Sequence, residues 1–187
     1  MGGPFHTEDD PEAQKSTEFL RGWGGAWMLN RLVMQEDPNW ITEALTNNTL
    51  VYVTDSIYNQ KKAPDICASG WIIYCTATKR HISATLIKRL DSLSNYRGEF
   101  LGILTVHLFI YAIREYYGVT GTNNILCNNK GVLYTFERRS KRIPAGAKNN
   151  NVQLVLWQVN SKMKSLHLLH HVKVHQANYK KNAPTYH

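Results

Sequence analysis

The period of apolar and polar positions changes several times along the chain, and each change marks an element. TLVYVTD (49–55) alternates apolar and polar side chains and is rich in β-branched residues, the pattern of a strand with one buried face. ASGWIIYCTATK (68–79) is aromatic and β-branched, and HISATLIKRL (81–90) places Ile82, Ala84 and Leu86 on one face. The connection between these two runs is too short for anything but a hairpin, so the three strands predict an antiparallel meander. Residues 95–117 carry apolar side chains around most of a helical circumference, which predicts a helix buried between layers. Ser94 or Asn95 can cap its start and Gly118 ends it.

NNILCN (123–128) reads as a short buried strand, KGVLYTFERR (130–139) as a helix and KRIPAGAKNN (141–150) as a basic, turn-rich loop. VQLVLWQVNSKMK (152–164) predicts a helix whose apolar side holds Leu154, Leu156, Trp157 and Val159. LHLLHHVKVH (166–175) alternates as a strand, with Leu168, His170, Val172 and Val174 on one face and His167, Leu169, His171, Lys173 and His175 on the other. The first face is the more apolar, so His170 is expected in the core and His171 facing solvent or a ligand. Upstream, Asp37 and Pro38 set the start of a short helix that NNT (47–49) closes. The order βββαβααβ predicts an α/β fold on a mixed five-stranded sheet, three strands antiparallel and then two parallel.

Charge adds a division that the hydrophobic pattern does not reveal. Residues 1–50 hold eight acids and three bases, a net of −5, while residues 51–187 hold six acids and nineteen bases, a net of +13. A basic body behind an acidic leader points to a polyanionic partner. Arg138, Arg139, Lys141, Arg142 and Lys173 are the candidate nucleic-acid contacts. The expected layout is an acidic flexible leader (1–17), a linker with a short helix (18–48), one domain (49–180) and a tail (181–187). Cys67, Cys75 and Cys127 form no CxxC pair and lie among apolar neighbours, which predicts buried free thiols in an intracellular setting, nucleus or cytoplasm. The run FLGILTVHLFIYAI (100–113) is too short to span a bilayer, so no membrane is expected. His167, His171 and His175 recur along one strand face at intervals of about 13 Å, too far apart to share a metal ion.

The element order carries polar residues to one end of the sheet. Asp55 ends the first strand, Glu99 lies in the first turns of the buried helix, Asn128 ends the fourth strand, and His175, Gln176, Ala177 and Asn178 follow the last. Asp55 and Glu99 are the only carboxylates this architecture places in or beside the core. A buried carboxylate is costly unless compensated, and a hard divalent cation such as Mg²⁺ compensates it. Two such ions about 4 Å apart can hydrolyse a phosphodiester. Taken singly, each residue has a plainer role, Asp55 as a turn former and Glu99 as a complement to the helix dipole.

Five segments together resemble a ribonuclease H type 1 domain of the kind joined to reverse transcriptases in retroelements: VYVTDSIYN, ASGWIIY, SNYRGEFLGIL, ILCNNKGVL and HHVKVHQAN. They correspond to a first strand ending in DGS, an SGW-like second strand, a YR-E-L helix, a strand ending in DNKGAL and a last strand ending in a VKGHQDD-like motif. The resemblance covers roughly residues 50 to 180. It implies a ribonuclease H-like fold with helices on both faces of the sheet, two Mg²⁺ ions held by four acids, and hydrolysis of the RNA strand of RNA–DNA hybrids. Asp55 and Glu99 match the first two acids. Asn128 stands where the third belongs, and Ala177 or Asn178 where the fourth belongs. His175 matches a histidine on a flexible segment near the site. Ser56 and Ile57 replace the Gly and Ser after the first acid, Val174 replaces a Gly, and Asn151 replaces an Asp usual in that stretch.

These departures halve the formal ligand charge, from four negative charges to two. Asp55, Glu99 and Asn128 then offer a weak or partial site for one Mg²⁺, with Mn²⁺ as a substitute. If each lost carboxylate removes about 3 kcal/mol of transition-state stabilisation, the rate falls roughly 100-fold per loss. Three readings stand at this point. The chain is a ribonuclease H-like domain with impaired or lost catalysis, acting on an RNA–DNA hybrid or other duplex. Or it is an active nuclease in which Asp65, Asp91, Glu115 or Glu137 supplies a missing ligand. Or it is a basic binding module with neither metal nor hydrolysis. In each case it is a monomer or a part of a larger polyprotein.

Overall fold

The computed structural model describes residues 32–34, 39–89, 94–137, 149–163 and 167–172. In chain order the elements are β1 (Leu32–Met34), α1 (Asn39–Thr46), β2 (Leu50–Tyr58), β3 (Ile66–Cys75), β4 (His81–Arg89), α2 (Asn95–Tyr117), β5 (Asn123–Cys127), α3 (Lys130–Glu137), α4 (Asn150–Met163) and β6 (His167–His171). The strands form one sheet in the order β1-β4-β3-β2-β5-β6. β2, β3 and β4 form the antiparallel meander, β5 joins β2 in parallel and β6 joins β5 in parallel. The five expected strands and their directions are therefore present. β1 is an addition, a three-residue edge strand antiparallel to β4.

Residues 18–48, expected to be a linker, thus contribute both β1 and a helix to the folded body. The side chains Trp40, Ile41, Ala44 and Leu45 of α1 recur on one helical face and are buried in the same core as the sheet. Asn48, at a φ of 56°, closes that helix in the left-handed region that asparagine tolerates. The Asp37–Pro38 start lies outside the described residues.

The core sits on one side of the sheet. Buried strand positions alternate: Leu50, Tyr52 and Thr54 of β2; Cys67, Ser69, Trp71, Ile73 and Cys75 of β3; Ile82, Ala84 and Leu86 of β4; Asn123, Ile125 and Cys127 of β5. All four described helices pack over this face. Opposite it, Ile72 and Ile87 are 45% and 46% exposed and Leu168 is 41% exposed, so among the described residues the expected second layer of helices is not seen. All three cysteines are buried and unpaired. No described helix is long and apolar enough to cross a membrane.

Two expected faces are corrected. In α4 the buried positions are Val152, Leu156, Val159 and Met163, spaced at four, three and four residues, while Leu154 and Trp157 are 43% and 51% exposed. The apolar side expected there does not follow one helical stripe. In β6 the inward residues are His167 and Leu169, and His170 is exposed. Alternation identifies which residues share a face, but a buried aromatic cluster selects which face turns inward. The rings of His107, Phe136 and His167 lie with centroids 5.2–5.5 Å apart. His167 also meets Asn123, whose side-chain oxygen accepts a 2.6 Å hydrogen bond from Tyr52. His107 gives its Nδ1 proton to the carbonyl of Ile103, and burial lowers its pKa to about 3, so it remains a neutral core residue.

α2 is the centre of the layer. Ser94 caps it, accepting from the Arg97 N–H at 3.1 Å, and Gly118 ends it at a φ of 65°. It lies against β2 and β3 and carries α3 and α4 on its other sides. Two glycines let it approach. A Cβ on Gly98 would fall 2.6 Å from Cys67 Sγ and 2.8 Å from Ser56 Cβ, whereas one on Gly102 would lie 3.5 Å from Thr54 Cβ. Gly98→Ala is therefore expected to lose about 1–2 kcal/mol, overpacking outweighing the gain in helix propensity. Gly102→Ala, with room for its methyl, gains up to about 1 kcal/mol. Urea denaturation midpoints of the two variants check the contrast.

Candidate active site at the end of the central strands

The site arises where two neighbouring strands part. β2 and β5 run in parallel as far as Thr54 opposite Cys127. Beyond that pair β5 ends, and the chain turns at Asn128 towards α3. β2 does not end with it, contrary to the position expected for Asp55. It continues to Tyr58, because β3 goes on pairing with it as far as Tyr58 opposite Cys67. Asp55 is thus a strand residue whose parallel neighbour has just left, and Asn128 stands beside it. The Asn128 side-chain Nδ2 donates to Asp55 Oδ1 at 3.0 Å, and the Ser56 N–H donates to the same oxygen at 2.9 Å.

Glu99 reaches the site from the second turn of α2 and is 3% exposed. Ser56 Oγ lies 3.0 Å from its Oε1 and 3.1 Å from the carbonyl of Asn95. The Cys127 thiol donates to Glu99 Oε2 at 3.6 Å. Ser56 has one hydroxyl proton, and a carbonyl only accepts. That proton is therefore shared between the Glu99 carboxyl and the Asn95 carbonyl, both of which accept. Burial raises the Glu99 pKa to about 7, the Asp55 charge adds to the rise, and the Ser56 and Cys127 hydrogen bonds oppose it. Burial likewise lifts Cys127 to about 11, so it stays a thiol. On the outer side, His171 Nε2 lies 3.1 Å from the Asn128 carbonyl and must carry the proton of that contact. Arg97 donates to the side-chain oxygens of Asn149 and Asn151, each at 3.1 Å, and ties the start of α4 to the start of α2.

Asp55, Glu99 and Asn128 are therefore brought together, with Ser56 linking the first two. His175, Ala177, Asn178, Arg138, Arg139, Lys141, Arg142 and Lys173 lie outside the described residues. Sequence reading passed over Ser56, Cys127 and His171 as members of the site. The signal for the first was available: a hydroxyl residue directly after the acid, where the resembling motif has glycine.

The donors among the described residues do not fit a pair of divalent ions. Among the described residues no group of three His, Cys, Asp or Glu side chains is placed to hold a metal ion. Asn128 Oδ1, buried and without a hydrogen-bond partner, adds one neutral ligand atom beside the two carboxylates. That composition suits at most one hard cation, and Glu99 has to lose its proton to take part.

The fold can be compared with solved structures. The N-terminal RNase H domain of Rv2228c from Mycobacterium tuberculosis superposes with a TM-score of 0.50 at 15% identity, over 70% of this chain and 91% of that one. The fold is ribonuclease H-like. RNase H1 from the archaeon Halobacterium salinarum NRC-1 gives a TM-score of 0.48 at 10% identity, covering 69% of this chain and 89% of its own. A foamy viral protease-reverse transcriptase, solved in complex with an RNA/DNA hybrid, gives 0.47 at 12% identity, over 78% of this chain and 20% of that one. No protein-family model matches the sequence, and a search of curated proteins gives no match. In this sheet Asp55 and Asn128 lie just past the point where the parallel pairing of β2 and β5 stops, the kind of place where α/β folds gather polar chemistry.

The raised Glu99 pKa has a consequence for stability. The folded state holds the proton more tightly than the unfolded chain, so the contribution is fully present below about pH 4.5 and is lost as pH rises through about 7. Unfolding free energy is expected to fall by on the order of 2–3 kcal/mol across that window. Glu99→Gln, which keeps the shape without the charge, should flatten the dependence and leave the variant the more stable above pH 7. Denaturation midpoints at pH 4.5, 6 and 8 measure both.

Proposed function

We propose that this chain is a ribonuclease H-like nucleic-acid-binding domain of retroelement origin in which hydrolysis of the RNA strand of RNA–DNA hybrids is impaired or lost. The retroelement origin rests on the five motif segments of the sequence. The loss of catalysis rests above all on one contact, the hydrogen bond from the Asn128 amide to Asp55. An aspartate at 128 would bring a second negative charge against Asp55 and require a cation between them. The amide instead satisfies Asp55 directly, so the pair is stable without metal. Glu99, its pKa pushed up to about 7 by burial and its carboxyl accepting hydrogen bonds from Ser56 and Cys127, is only partly charged near neutrality and so makes a smaller demand for a counter-ion.

Any divalent ion that binds would be held by Asp55, Glu99 and Asn128 Oδ1, and would supply a polarising charge to a bound phosphate. Affinity for nucleic acid does not depend on that ion. The net of +13 over residues 51–187 favours a polyanion through counterion release, which is sensitive to salt and indifferent to the acid set.

The test is cleavage of a labelled RNA–DNA hybrid, in Mg²⁺ and then in Mn²⁺, by the native protein and by an Asn128→Asp, Asn178→Asp double variant. The native protein should bind the hybrid and leave it intact, and the double variant should cut it at a measurable rate. Turnover by the native protein that Asp55→Asn abolishes would show that this site still catalyses and would overturn the reading.

A further inference from the structure

A second site lies beside the first, between α3 and β6. Lys130, Leu133, Tyr134 and Glu137 recur at the spacing of one helical stripe and face Leu169 and His171, which share one face of the strand. Together they line a pocket of about 320 Å³, the lower end of the range for small-molecule sites. Its floor is apolar: Leu133 is buried and Leu169 packs against the core. Its wall is Tyr134, 63% exposed, on a helix whose packing is already filled by Val132 and Leu133. A large aromatic left in water beside an apolar floor has an unused stacking face.

We infer that this pocket takes one unpaired nucleotide of a nucleic-acid strand, its base stacked on Tyr134 and its phosphate held by Lys130. The inference rests on the nucleic-acid reading above and adds a ligand that reading does not require. The charges give the ligand its direction. Lys130 and Glu137 stand seven residues apart, about 10 Å along the helix, close to the span of one nucleotide from phosphate to base edge. Lys130 provides a cation at one end. Glu137 at the other repels phosphate and accepts hydrogen bonds from an exocyclic amino group, which favours adenine, cytosine or guanine over uracil and thymine. A base within a duplex is stacked on both faces and paired along its edge, so only an overhanging or extruded nucleotide can enter. His171 joins the two sites: it lines the pocket and contacts the backbone of Asn128. A strand end in the pocket would therefore continue directly past Asp55.

The experiment uses the full chain and fluorescence anisotropy, comparing a blunt RNA–DNA hybrid with the same hybrid carrying a three-nucleotide adenine overhang on either strand. An overhang should tighten binding about tenfold, within the range for stacking one base on an aromatic side chain. Tyr134→Ala should abolish that gain and leave blunt-hybrid affinity unchanged, while Tyr134→Phe keeps it; the exposure of Tyr134 makes both variants safe for the fold. Lys130→Ala should weaken the overhang gain in part. No overhang gain, or a gain that survives Tyr134→Ala, overturns the pocket and leaves the hybrid-binding reading standing. Failure to bind either hybrid overturns both. Adenosine monophosphate that binds only when Tyr134 is present, with no overhang effect, overturns the assignment to a strand end.

Discussion

The closeness of α2 to the central strands is the constraint on which the rest depends. At Gly98 the helix backbone comes so near to Ser56 and Cys67 that no side chain fits between, and the Ser69 hydroxyl donates to the Gly98 carbonyl at 2.7 Å. This contact fixes the helix in depth and in rotation. Glu99, the next residue, is then carried under the end of the sheet. There it is shut off from water and meets Ser56, the Cys127 thiol and the nearby charge of Asp55. A helix lying a methyl group further out would leave Glu99 wetter and its carboxylate ionised. The same seating brings the start of α2 against Asn149 and Asn151, so the position of α4 follows from it as well.

Electrostatically, the site is held together by hydrogen bonds. A cluster of carboxylates is stable only with cations among them, which makes metal binding and local stability one property. Here an amide donates to the first carboxylate, a hydroxyl and a thiol engage the second, and the second is only partly charged near neutrality. The arrangement closes without an ion. The scaffold does not rest on these groups, because the core is built mainly from Val, Ile, Leu, Trp and Tyr elsewhere.

One face of the sheet carries the whole helical layer, and the other shows Ile72, Ile87 and Leu168 to solvent. Small inward side chains, Thr54 and Ser69, lie under α2 near Gly102, where an added Cβ would fall 3.5 and 3.7 Å from theirs. Several polar groups buried under that layer are paired with one another. Tyr52, Asn123 and His167 form a chain of hydrogen bonds across three strands, and His107 turns its one donor to its own helix. This chain accounts for the inward turn of β6, which hydrophobicity alone assigns to the opposite face.

The sequence by itself determined the element order, the strand directions and the two ends of α2, because periodicity and caps are local properties read within a few residues. It also determined that Asp55, Glu99 and Asn128 belong together, because motif order along the chain fixes which strand ends become neighbours. It did not determine that residues 32–46 join the folded body, since a three-residue strand has no period and a short amphipathic helix does not reveal what it packs on. It left open the inward face of β6 and the stripe of α4, because an alternating or mixed pattern needs a neighbour to choose its buried side. Ser56 as the link between the acids, the proton on Glu99 and the pocket under Tyr134 were decided only by tertiary structure. Each depends on a distance or a desolvation between residues far apart in sequence, and no local pattern encodes either.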